Sequence, residues 1–203
     1  MRITKPMLLA ACLLLVAVPA WTADNVDRQK AIAAIKWMGG TVKVDAKKKG
    51  KPVVKVGLAQ SKASDAALVC LKAFPHLQEL DLRFTLVTGA ALAHLKGLAG
   101  LHTLNLYRTR VGDKGLEKLK NLPALKKLNL RGSRVTDDGL EKLKDLTGLT
   151  ELNLSNTAIT DEGLKHLKGL TKLETLELVD TKVTEAGAKE LKKALPNVNV
   201  VLR

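Results

Sequence analysis

The chain has 203 residues, with 34 Lys and Arg against 20 Asp and Glu, a formal net charge of +14. Hydrophobic residues make up 46% and aromatic ones only 2%, which excludes a disordered chain and points to an aliphatic core that reuses one buried position many times. The basic excess favours anionic partners.

Residues 1–23 have the pattern of a secretory signal. Arg2 and Lys5 precede an apolar run from Met7 to Val18, too short to span a bilayer. Ala20 and Ala23 end the two candidate cleavage sites, and Val18 favours Ala20 because it is smaller than Trp21 three residues before the cut. Leu9-Ala10-Ala11-Cys12 has the form of a lipidation box, but the apolar run continues past Cys12, so the mature chain is expected to be secreted, periplasmic or at the cell surface. Cleavage at either site leaves Cys70 as the single cysteine, so the fold has to stand on its core without an internal disulfide.

Residues 24–52 are expected to cap the next unit. Ile32, Ile35 and Met38 have helical spacing within Asp27 to Met38, and Gly39-Gly40 stops the helix. Thr41 to Val44 alternates as a strand that can pair with Val53 to Leu58 across Lys47-Lys48-Lys49-Gly50.

From residue 53 to residue 203 one pattern recurs every 24 residues. Leu77-x-x-Leu80-x-Leu82 returns from Leu101, Leu125, Leu149 and Leu173, with Val53-x-x-Val56-x-Leu58 before it and a degenerate Asn197-x-x-Val200-x-Leu202 after it. These are seven copies, beginning at 53, 77, 101, 125, 149, 173 and 197. With the first residue of each copy as position 1, position 11 is Val87, Val111, Val135, Ile159 or Val183, position 16 is Leu92, Leu116, Leu140 or Leu164, and position 19 is Leu95, Leu119, Leu143, Leu167 or Leu191.

Each copy reads as one strand and one short helix. The leucine section ends in period-two alternation. Thr136, Thr160 and Thr184 then suit N-caps, and the acids after them suit the positive end of a helix. One copy cannot bury its leucines alone, whereas stacked copies close a continuous core. Strands pack about 4.8 Å apart and helices are about 10 Å across, so the sheet is expected to line the concave face of an arc.

A stretch such as LTELNLSNTAITDEGLKHLKGLTKL, Leu149 to Leu173, resembles the leucine-rich repeat superfamily, in particular secreted bacterial members. The resemblance implies an α/β solenoid, with parallel strands on the concave face and short helices on the convex face, that acts as an interaction module. Position 9, often Asn or Cys in that family, is Thr85, Thr109, Ser133, Thr157 and Thr181 here.

No catalytic or metal constellation emerges, so no enzyme activity, metal or cofactor is expected. The four histidines have no metal-ligand spacing; His94 and His166 lie three copies apart, about 14 Å by strand spacing. Ser133 falls in the Thr/Ser column, where a structural hydroxyl accounts for it. Cys70 shares position 18 with His94, Lys118, Lys142, His166 and Glu190 and is expected to be exposed. Asn153-Leu154-Ser155 fits a glycosylation sequon but carries little weight in a bacterial-looking chain.

The concave columns vary while the leucines do not. Position 7 carries Arg83, Tyr107 and Arg131; position 8 carries Phe84 and Arg108. Phe84 and Tyr107 fall in adjacent copies beside these arginines, and Tyr and Arg are favoured interface residues. This patch is the expected site for a protein partner. The sheet face offers roughly 500 Å² by strand dimensions, short of the about 800 Å² of a standard interface, so adjoining loops should contribute. The alternative is an envelope-associated binder of anionic polymer or polysaccharide, carried by a row at position 20: Lys72, Lys96, Lys120, Lys144, Lys168 and Lys192. Nucleic acid is not expected, since export separates the chain from it and no base-stacking platform is visible. A monomer is expected, although Val198 to Leu202 is an edge available for pairing.

Overall fold

A computed structural model describes the backbone of residues 20–203 and the side chains from Asp27 onward. The leader-like segment before Ala20 lies outside the described residues.

Eight strands form one sheet in the order of the chain, β1 to β8: Thr41–Val44, Val53–Gly57, Glu79–Asp81, Thr103–Asn105, Lys127–Asn129, Glu151–Asn153, Thr175–Glu177 and Asn199–Val201. β2 to β8 are parallel, and each neighbouring pair is in register across one repeat step: Leu80 faces Val56 on one side and Leu104 on the other. Parallel strands need a crossover between them, and the second half of each copy supplies it. Regular strand lasts only three residues in each of these strands from Glu79–Asp81 to Asn199–Val201. The ladder nevertheless runs on through the turn, with Leu82 N–H donating to Asn105 O at 2.8 Å and Phe84 N–H to Tyr107 O at 2.9 Å.

The repeated leucines are the core. Positions 1, 4, 6, 16 and 19 are buried in copies two to five. Val87, Val111, Val135 and Ile159 are buried beside them, and Val183, near the open end, is partly buried. Copies three to six begin their crossover with a true α-turn: Asp113–Leu116, Asp137–Glu141, Asp161–Leu164 and Glu185–Ala194. Copies one and two have only 3-10 turns, at Ala66–Ala73 and Ala91–Leu95. The difference follows position 15, which is Ala67 and Ala91 in the first two copies and Gly115, Gly139, Gly163 and Gly187 in the next four. A β-carbon on Gly163 would stand 2.2 Å from Asp137 Oδ1 of the previous copy, and one on Gly115 would stand 2.5 Å from Gly89 Cα. Only glycine lets the α-turn come that close.

At the start, the helix Ala20–Trp37 packs on Ala66–Ala73 and on β1, which pairs antiparallel with β2. Arg28 donates to Gly50 O at 2.8 Å and also to Lys51 O, tying the helix to the β1–β2 turn. Cys70 is buried, contrary to the exposure expected from its column. Its segment is the one crossover covered by the leading helix, so the repeat phase does not describe it. At the far end Ala188 is buried but Ala194 is exposed, and Leu195 turns inward instead. The ten-residue helix there replaces the tighter turns of earlier copies and shifts the buried face by one residue. Val200 and Leu202 are only partly covered.

Candidate partner-binding site on the sheet face

Two columns expected to be left free for a partner are committed to the scaffold. Position 3 reads Lys55, Glu79, Thr103, Lys127, Glu151, Thr175, and its charges pair across neighbouring strands: Lys55 to Glu79 at 2.6 Å and Lys127 to Glu151 at 2.5 Å. The Lys55 ammonium holds the Glu79 carboxyl below its ordinary value, and the Glu151 carboxylate raises Lys127. At position 5, Asp81, Asn105, Asn129 and Asn153 each accept, through Oδ1, the backbone N–H two residues on, at 2.9 to 3.1 Å. Such local side-chain bonds fix the bend out of the strand. Four of six copies carry Asp or Asn there, the residue types that make this bond.

Position 9 closes the same turn from below. The hydroxyls of Thr85, Thr109, Thr157 and Thr181 donate to the position 6 carbonyl of their own copy. Ser133 is buried in the same place, yet its hydroxyl makes no hydrogen bond among the described residues. It keeps the position and loses the bond expected of it.

What remains is the patch of copies two to four. Phe84 and Tyr107 meet edge to face, with ring centroids 4.7 Å apart and planes at 65°. The Arg108 guanidinium lies 5.9 Å from the Phe84 ring centre and 5.7 Å from that of Tyr107, and Arg131 lies 5.4 Å from the Tyr107 ring. Cation–π contacts at these distances contribute about 0.5–1 kcal/mol at exposed sites. Gly132 makes room, since a β-carbon there would stand 3.1 Å from Arg108 Cγ. Of the five expected residues the structure gathers four; Arg83 turns instead to Asp81, 3.1 Å away. Arg108 and Arg131 make no ion pair among the described residues; Arg108 is exposed, and Arg131 is half-buried with its Nε unpartnered.

The backbone beneath the patch is unusual for its residues. Position 8 is left-handed in all six copies that reach it, with φ between 50° and 61°: Gln60, Phe84, Arg108, Gly132, Asn156 and Asp180. Gly, Asn and Asp accept this region readily, whereas other L-residues lose roughly 1–2 kcal/mol there. The later copies use the tolerant residues, and Phe84 and Arg108 stand where the conformation disfavours them.

The lysines at position 20 are all exposed. Lys120 pairs with Glu117 at 3.2 Å and Lys168 with Glu190 at 3.5 Å. Glu141 turns to Lys142 rather than to Lys144. Lys72, Lys96, Lys144 and Lys192 make no ion pair among the described residues. Those residues hold no cluster of three or more metal-ligating side chains, and none of their helices is long and apolar enough to cross a membrane.

The leucine rich repeat family model matches residues 123–183. No curated protein matches the chain. Among 367 matching chains of solved structures is internalin C2 from Listeria monocytogenes, 21% identical, with a TM-score of 0.53 over 84% of this chain and 81% of that one. At that identity the likeness speaks for the fold, and it is the fold that the in-register 24-residue ladder and the matched segment both describe. The chain folds as a leucine-rich repeat solenoid.

Proposed function

We propose that this chain is an exported, non-catalytic solenoid that binds another protein through its sheet face, centred on Phe84, Tyr107, Arg108 and Arg131, with Arg83 at the margin. The observation that carries the reading is the cluster itself, Phe84 and Tyr107 edge to face at 4.7 Å with the Arg108 and Arg131 guanidinium groups over their rings. Stacked aromatic and guanidinium groups of this kind are favoured at protein interfaces. The rigid ladder fixes the cluster before binding, which lowers the entropy lost on association.

The lysine row at position 20 supports a second reading, a binder of anionic polymer, because four of its six ammonium groups make no ion pair among the described residues. Salt separates the two. Attraction of exposed charges to a polyanion collapses as salt rises, while a packed interface holds.

The test is capture from envelope and secreted fractions of the producing cell at low and high salt. The intact chain is compared with a Phe84→Ala, Tyr107→Ala, Arg131→Ala variant. A defined protein retained at high salt and lost in the variant supports the sheet-face reading. Capture indifferent to the variant and abolished by salt sinks it in favour of the lysine row. Export is checked separately, by recovering the chain outside the cytoplasm with an N-terminus at or near residue 21 or 24.

A further inference from the structure

We propose that the rim beside the sheet face, carried by Arg110 and Arg134, holds an acidic segment of the partner protein, one of whose apolar side chains covers Leu86. This rests on the reading of the chain as a protein binder and names the chemistry of the partner. The residues belong to position 10, two places beyond Phe84 and Arg108. The intervening position 9 points into the core, so positions 8 and 10 both face outward.

The two arginines hold the same position in adjoining copies, where the backbone pairs Arg110 with Thr88 and Arg134 with Gly112. Arg110 N–H donates to Val87 O at 2.9 Å and Arg134 N–H to Val111 O at 2.8 Å, in two short parallel bridges beyond the main sheet. Neighbouring strands stand about 4.8 Å apart. Both side chains are exposed, and neither makes an ion pair among the described residues. Position 3 matches Lys55 to Glu79 and Lys127 to Glu151 across neighbouring strands, whereas position 10 sets no acid beside its arginines.

The arginines are also segregated. Five of the eight in the chain lie in three turns, at Arg83, Arg108, Arg110, Arg131 and Arg134, while the 26 lysines are spread elsewhere. Residues 83–86, 107–110 and 131–134 contain no acid, and Asp81 nearby is taken by Arg83. Four guanidinium groups are left for an outside partner. A guanidinium grips a carboxylate with two parallel hydrogen bonds, which an ammonium cannot do. Leu86 is 65% exposed and Phe84 39% exposed, in the turn preceding Arg108 and Arg110. A uniform polyanion has nothing to place on them, whereas a peptide with carboxylates and an apolar side chain satisfies both.

The experiment uses the full chain and fluorescence anisotropy with three labelled probes. The first is a peptide of Asp and Glu interspersed with Leu and Phe, the second its Asn and Gln counterpart, the third a sulfated oligosaccharide of equal charge. The expected result is binding of the first probe alone, weakened about tenfold or more by Arg110→Gln with Arg134→Gln, as loss of charge-assisted bonds implies. The matched control, Lys120→Gln with Lys144→Gln, removes the same charge and should shift affinity less than about twofold. Melting curves of both variants establish that they fold. Equal loss in the two variants, or equally tight binding of the oligosaccharide, overturns the proposal. Absence of peptide binding, while capture dependent on Tyr107 persists, overturns it too and leaves the sheet-face reading standing.

Discussion

The Asp113 carboxylate grips Thr136 of the following copy with both oxygens. Oδ1 accepts its backbone N–H and Oδ2 its hydroxyl, each at 2.8 Å. The bridge recurs from Asp137 to Thr160, from Asp161 to Thr184, and from Asp65 to Thr88. It joins residues 23 apart in sequence, and so ties the crossovers together on the side of the arc away from the strands.

Glycine at position 15 is the counterpart of that bridge. Gly163→Ala should destabilise by about 1–3 kcal/mol, because its β-carbon displaces Asp137 from a partly buried N–H. Asp137→Ala should cost a similar amount. The double variant should cost clearly less than the sum, since each change breaks the same bridge. Urea unfolding of the four proteins checks this, and strict additivity contradicts the bridge.

The left-handed turns predict a trade between stability and binding. Arg108→Asn relieves a conformation worth roughly 1–2 kcal/mol and forfeits cation–π contacts of about 0.5–1 kcal/mol each. The two nearly offset, so its net stability should change by no more than about 1 kcal/mol in either direction, while partner capture falls. Gln60→Asn, at the same position without an aromatic neighbour, should stabilise without touching capture. Denaturation and capture run side by side on the two variants test the pair.

Acid should loosen the Lys55–Glu79 pair. Lys55 depresses the Glu79 carboxyl in the folded state, so its contribution is present above the unfolded value near 4.5 and is lost as pH falls through the lower folded value. Both side chains are substantially exposed, and the contribution, screened by water, stays under about 1 kcal/mol. Melting temperatures of the wild type and Glu79→Gln should differ at pH 7 and converge toward pH 3. A gap that widens in acid contradicts the sign.

Cys70 should resist modification. Its side chain is buried in the first copy, so a neutral alkylating reagent should react slowly in buffer and fast in denaturant. Mass spectrometry over time reads both rates. Rapid labelling of the folded chain would show that the leading helix does not cover it.

The leucine ladder was legible because one rule, burial, acts alike on every copy. The same averaging misled at Cys70, where an end differs from the middle. The Asp–Thr bridge was present in the sequence as acids and threonines one position out of step in successive copies. Read within a single copy, those acids looked like helix caps, and Thr160 and Thr184 do cap their helices. The tie across copies needs the stack itself. The aromatic pair was visible as two neighbouring copies, but the left-handed φ shared by position 8 of all six copies is a property of the turn, which side-chain periodicity does not report.

One joint lacks the bridge. Position 13 of copy two is Gly89 and position 12 of copy three is Gly112, so neither side chain exists, and a shallow depression opens between them. A stack of near-identical units breaks where neighbours are least coupled. Pulled from its ends, the arc should part between the second and third copies, giving two blocks rather than a gradual peeling. Phe84 and Tyr107 stand on opposite sides of that same seam, so a bound partner acts there as a splint and should raise the rupture force.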